Sequence, residues 1–149
     1  MTQQAGSGGS QVRIIRAADR STQDGFFATE IAGNRVANFG LVELGSGRLK
    51  MALAETDEGA TFPFQYHVGG MELAVVIAGS GAIEVGESEA ERSVYEFSSG
   101  DVVLIPPGLV YRVCNRRPDQ KLLAWVLFAE ETTSFWPGGE RAQETGAVT

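Results

Sequence analysis

The feature that most constrains this chain is the shortness of its apolar runs. Stretches rich in Val, Ile, Phe and Tyr recur along most of its length, and Gly, Pro, Asn or Asp cuts each one off within about ten residues. No window keeps a 3.6-residue apolar period long enough to specify a long helix, and no repeat of the solenoid kind is present. Strands are therefore expected over 12–16, 26–31, 35–44, 48–55, 62–67, 72–78, 82–85, 94–97, 102–105, 110–115 and 122–128. "AGSGAIEVG" reads as a hairpin turned by Gly79, Ser80 and Gly81, and "FSSGDVV" as another turned around Gly100. Evenly spaced short strands of this kind imply a sandwich or barrel.

A length of 149 residues suits one core rather than two. Residues 1–10 and 137–149 are Gly-, Ser- and Gln-rich or otherwise poor in groups to bury, so both ends read as tails and 11–136 as the folded domain. The net charge of −7 disfavours nucleic acid, because an acidic surface repels phosphate. "RVCNRRPDQK", the densest basic stretch, reads as solvated loop charge. Cys114 is the single cysteine, so no internal disulfide forms, and the first residues lack the apolar core of a secretory signal. A cytoplasmic location is the expectation. No apolar run approaches the roughly 18 residues of a membrane helix, so no membrane partner is expected.

Histidine occurs once, in "FPFQYHVGGMELAVVIAGSG". Strand alternation puts Gln65 and His67 on one face and Phe62, Phe64 and Tyr66 on the other. The connection "VGGM" can return Glu72 beside the imidazole, with Ala74, Val76 and Ala78 on the face of that carboxylate. Further on, "GDVVLIPPGLVYRVCN" sets a strand, a Pro-Pro-Gly turn and a second strand that carries Tyr111. Cys114 points away from Tyr111 and reads as a small core residue. Phe39, Trp125, Phe128, Phe135 and Trp136 read as core or oligomer contacts.

The spacing Gly59, five residues, Gln65, one residue, His67, four residues, Glu72, six residues, Gly79 resembles the first motif of the cupin family. Gly100, five residues, Pro106, one residue, Gly108, two residues, Tyr111, three residues, Asn115 resembles the second. The resemblance implies an all-β fold, a single antiparallel β-barrel of jelly-roll type with a pocket at one mouth. It also implies metal ligands at Gln65, His67, Glu72 and Tyr111, two of which replace the family's usual histidines.

A glutamine oxygen is a weak neutral ligand and a phenol binds well only after losing its proton. The four positions therefore suit, at most, one weakly held divalent ion such as Zn, Mn or Fe. His67, Glu72 and Tyr111 are the candidate catalytic residues: the first two can move a proton beside a carbonyl, and the third can steady the developing oxyanion. The expected function is a non-redox cyclase, isomerase or lyase acting on an apolar, polyketide-like small molecule. The alternatives are a metal-dependent dioxygenase and a non-catalytic ligand-binding protein. A homodimer is expected, because terminal strand segments such as "QVRIIR" leave open edges.

Overall fold

The computed structural model describes residues 27–43, 47–86, 89–129 and 131–138. The segment 12–16, with its edge, and nearly all of both tails lie outside the described residues. Within the described residues every strand pairing is antiparallel, and the one helical element is a single 3-10 turn at Glu89–Glu91.

Among the described residues, eleven strands form three sheets. They are β1 (Phe27–Ile31), β2 (Asn34–Glu43), β3 (Arg48–Thr56), β4 (Tyr66–Val68), β5 (Glu72–Ala78), β6 (Ser80–Val85), β7 (Ser93–Ser98), β8 (Val102–Ile105), β9 (Tyr111–Cys114), β10 (Leu122–Ala129) and β11 (Thr133–Phe135). A six-stranded sheet runs β1-β2-β3-β10-β5-β8, a three-stranded sheet runs β7-β6-β9, and β4 pairs with β11. The large and the three-stranded sheets face each other across a shared apolar interior, a jelly-roll sandwich or barrel whose sheets are not bonded into a closed cylinder.

The two hairpins expected around Gly79 and Gly100 are corners instead. β5 and β6 lie in different sheets, as do β7 and β8, so the chain crosses between layers at each turn. The two corners are tied together: Gly100 N–H donates to Val76 O at 2.8 Å, and Val76 N–H donates to Asp101 O at 2.9 Å. Glycine is required at the first corner because Gly79 has φ +88° and a Cβ there would lie 2.6 Å from Lys121 O. A two-residue hairpin does occur between β1 and β2, where Ala32 and Gly33 take φ of 50° and 79°.

The expected strand 62–67 also breaks. Pro63 has no N–H for a ladder, so only Tyr66–Val68 pair as a strand. The preceding residues run beside β9 through isolated bridges, Thr61 opposite Cys114 and Gln65 opposite Tyr111. The break resets alternation: Phe62 turns into the interior, while Phe64 lies outside under the Arg112 guanidinium, 4.6 Å from its ring centroid.

Candidate functional site

Backbone hydrogen bonds hold the two sequence blocks in register. Gln65 N–H donates to Tyr111 O at 2.8 Å and Tyr111 N–H returns to Gln65 O at 2.9 Å. Gly108 N–H, at the end of the Pro-Pro-Gly turn, donates to His67 O at 2.8 Å. β11 pairs Ser134 directly with His67. Three separate parts of the chain thus converge on one imidazole.

The side chains form a compact cluster. His67 Nε2 lies 2.7 Å from Glu72 Oε2 and 2.6 Å from Tyr111 Oη. The Tyr111 hydroxyl donates to the same Glu72 oxygen in a short hydrogen bond. On the far side of the ring, Nδ1 lies 2.7 Å from Ser134 Oγ. Phe128 packs edge-on against the imidazole, with ring centroids 5.1 Å apart. His67 and Tyr111 are both 0% exposed.

Burial first, then the charge of Glu72 and the hydrogen bond to it, push the Tyr111 phenol well above its usual range. Its proton therefore stays on Oη and is given to Glu72. The remaining Nε2···Oε2 contact needs one proton, on either atom. With the proton on Nε2, Ser134 donates to Nδ1; with it on Glu72, Nδ1 carries the ring proton and donates to Ser134 Oγ, so the serine hydroxyl can serve either tautomer.

Glu72 stands at the wall of a cavity of about 80 Å³. Its lining is mostly Ala, Val and Ile, including Ala52, Ala74, Val76, Val103 and Val126, with Phe62, Phe97 and Phe128 as the aromatic members. Asn34, Thr56 and Gln65 supply neutral polar groups. Glu55 also contributes, but its carboxylate meets the exposed Lys121 ammonium at 3.3 Å. Gln65 is 6% exposed, and its Oε1 is buried without a hydrogen-bond partner.

Of the four expected site residues, the structure brings together His67, Glu72 and Tyr111. Gln65 and Glu72 reach the cavity; His67 and Tyr111 stand behind Glu72 rather than at the cavity surface. The expectation that Tyr111 faces an oxyanion is corrected accordingly: its hydroxyl is committed to Glu72. Ala74 and Val76 line the cavity as expected, but Ala78 does not, because a register shift between Leu123 and Ala124 interrupts the β5–β10 ladder there. Ser134 and Phe128 were not legible as site residues: "TTSF" carries no motif, and only the β4–β11 pairing places Ser134 beside the ring. Cys114 is buried, and burial pushes its thiol up, in keeping with a core role.

Residues 28–135 match the family described as Cupin. The chain belongs to the cupin family. No curated protein matches its sequence. Among solved structures it is similar to the vicilin of Solanum melongena, with a TM-score of 0.64, 16% identity, and coverage of 74% of this chain and 33% of that one. Vicilin of Corylus avellana gives a TM-score of 0.64, 20% identity, and coverage of 76% and 35%. A Lactobacillus farciminis oxalate decarboxylase in complex with formate gives 0.61, 16%, 76% and 34%. The chain spans about a third of each of these proteins, and at such identities the likeness concerns the cupin fold alone.

The metal site of a cupin is where the substitutions in this chain matter most. Gln65 and Tyr111 are neutral, and the phenol is held protonated by its surroundings. Nε2, Oε2 and Oη are hydrogen-bonded to one another rather than spread around a common centre. Among the described residues no group of three His, Cys, Asp or Glu side chains is placed to hold a metal ion. One imidazole and one carboxylate make a poor cage, so these four residues do not fit a firmly bound divalent ion.

Proposed function

We propose that this cupin is a non-redox enzyme of the isomerase or lyase type, in which Glu72 moves a proton at a carbon next to a carbonyl of a small substrate. The observation that carries the reading is a carboxylate set in an apolar cavity wall and backed by a hydrogen-bonded imidazole. Glu72 is the catalytic residue, and the C–H bond to be broken lies in the cavity. The proton taken by the carboxylate is shared with His67 Nε2, and its return to a different carbon completes an isomerisation. Ser134 orients His67, while Tyr111 fixes the carboxylate through Oε2.

A cavity of about 80 Å³ is near half the ~150 Å³ that admits benzene, so a fused-ring polyketide is too large for it. The substrate class is accordingly a short-chain carbonyl compound, and cyclisation of a long polyketide is set aside. The donor set argues equally against a dioxygenase, which needs a redox metal held firmly. A binding protein remains the second reading, favoured by the full burial of His67 and Tyr111.

The discriminating experiment is deuterium exchange. Three- to five-carbon ketones and aldehydes, incubated with the protein in D2O and followed by NMR, should lose α-protons faster than in buffer, and Glu72→Gln should remove the acceleration. Equal exchange with and without protein across the panel would favour the binding reading. Elemental analysis of the same sample should find substoichiometric metal.

We also propose a homodimer. β8 is an outer strand of the large sheet and shows Val102 and Leu104 to solvent, an apolar edge of the sort that self-association covers. Light scattering at micromolar concentration measures it, and a monomer would count against it.

A further inference from the structure

We infer that Lys50 is a positioning residue for His67, acting through the stretch of chain that enters β11. The inference rests on the reading of His67 and Glu72 as the working pair and says what fixes the imidazole in place. Lys50 lies on β3 directly opposite Phe128 on β10, and opposed residues of an antiparallel pair share a face. Phe128 lines the cavity, so the half-buried lysine is on the inward side of its strand, where an ammonium costs free energy unless it is hydrogen-bonded. Its Nζ donates to Thr132 O at 2.6 Å, across 82 positions of sequence.

Thr132 is where the supports of the imidazole meet. It is buried, its N–H donates to Ala129 O at 3.0 Å, and the next residue begins β11. β11 is three residues long and, among the described strands, pairs with β4 alone, so its own ladder gives it no hold on the large sheet. The Gly69-Gly70 connection between His67 and Glu72 lies against the same turn: a Cβ on Gly69 would be 2.6 Å from Glu131 O, and one on Gly70 would run into Thr132 Oγ1. A shift of Thr132 would therefore carry Ser134 away from Nδ1 and loosen the loop that sets Glu72 at Nε2. The bond from Lys50, a charged donor on a carbonyl, is of the stronger kind and opposes that shift. Phe128, opposite Lys50, packs on the ring itself, so one residue of β3 stands beside two supports of His67.

His67 is the only histidine of the chain, so the nitrogen NMR signals of its ring are free of overlap with any other imidazole. Long-range proton–nitrogen spectra at one pH read the hydrogen bond at Nδ1 without any substrate. Lys50→Met removes the ammonium and keeps most of the stem; its Nδ1 signal should move in the direction seen in Ser134→Ala, and Lys50→Arg, which can still donate to the carbonyl, should restore the wild-type position. Lys50→Gln serves if Lys50→Met does not fold. The α-proton exchange should slow about tenfold in Lys50→Met, and the double variant with Ser134→Ala should be no slower than Ser134→Ala alone, because both act through one hydrogen bond. Unchanged ring signals in Lys50→Met, with only a lower thermal midpoint, would overturn the inference, as would additive losses in the double variant. Ring signals that move as expected in a protein that exchanges no α-protons would remove the proposed activity and leave the positioning of His67 by Lys50 standing.

Discussion

Among the described residues two carboxylates are buried, Glu72 and Glu84, and they are held in opposite ways. Glu72 faces the interior and is met by a phenol and an imidazole. Glu84, on the outer side of β6, is met by three guanidinium groups: Arg112 Nε at 2.5 Å, Arg92 Nη1 at 3.2 Å and Arg116 Nη2 at 3.4 Å. Burial alone would raise Glu84, but the Arg112 hydrogen bond and the charges of Arg112 and Arg92 outweigh it and hold its carboxyl below the usual range. A carboxylate locked among permanent cations is held in its charged form and cannot usefully take up a proton near neutrality. The guanidinium cluster joins β6, β9 and the loop after each, and the Glu72 cluster is the one proposed to do chemistry. Much of the basic stretch "RVCNRRPDQK" therefore belongs to an ion-pair cluster rather than to solvated loop charge, although Arg117 does pair at the surface with Asp119.

The sharpest way to break this contrast is to neutralise each carboxylate in turn. Glu72→Gln should reduce α-proton exchange by about 10²- to 10⁴-fold, the usual worth of a positioned acid or base, with the thermal midpoint nearly unchanged. Glu84→Gln should do the reverse, lowering stability by about 2 kcal/mol in urea unfolding, the scale of hydrogen bonds to a charged group, while activity per folded molecule stays the same. Loss of activity in the second variant would show that the two clusters are not independent.

A smaller effect sharpens the role assigned to Ser134. Ser134→Ala removes a single hydrogen bond to Nδ1 and should slow exchange about tenfold, with Ser134→Thr restoring most of it. A merely structural serine would change stability and leave the pH profile of exchange where it was.

The smallest effect is in the acid limb. Because the folded value of Glu84 lies below its ordinary 4.5, its contribution to stability is complete above that pH and is lost as pH falls through the folded value. The difference in thermal midpoint between wild type and Glu84→Gln should thus be constant from pH 7 to about 5 and shrink at lower pH. A difference that grows on acidification would reverse the assignment.

Most strands were legible because alternation and β-branched composition report local structure: β5 and β8 fall at the expected residues, and β2, β3 and β10 within one residue at each end. Layer assignment was not legible. Gly79 and Gly100 signal turns equally well whether the chain returns to the same sheet or crosses to the other, and only the pairing of β5 with β10 and β8 decides it. His67, Glu72 and Tyr111 could be placed together from spacing. That His67 and Tyr111 stand behind Glu72 could not, since depth depends on Phe128 and Ser134, both more than sixty residues from His67 in the chain. Asn115 illustrates the opposite case: at the end of the second block, it is an anchor whose Nδ2 donates to Asp57 O at 3.1 Å and Gln120 O at 2.8 Å.

The position of β10 bears on how the molecule is made. β10 lies between β3 and β5, so the centre of the large sheet is filled by a strand synthesised after both of its neighbours. Until Leu122–Ala129 has left the ribosome, β3 and β5 each present an unpaired edge to solvent, and β11, with Ser134, follows later still. Such long-range closure makes folding slow and exposes the nascent chain to edge-to-edge association. A chain ending at Lys121 is expected to aggregate rather than fold, and pelleting after expression measures this. The central sheet and the partner of His67 are thus both completed only after residues 122–135 have emerged.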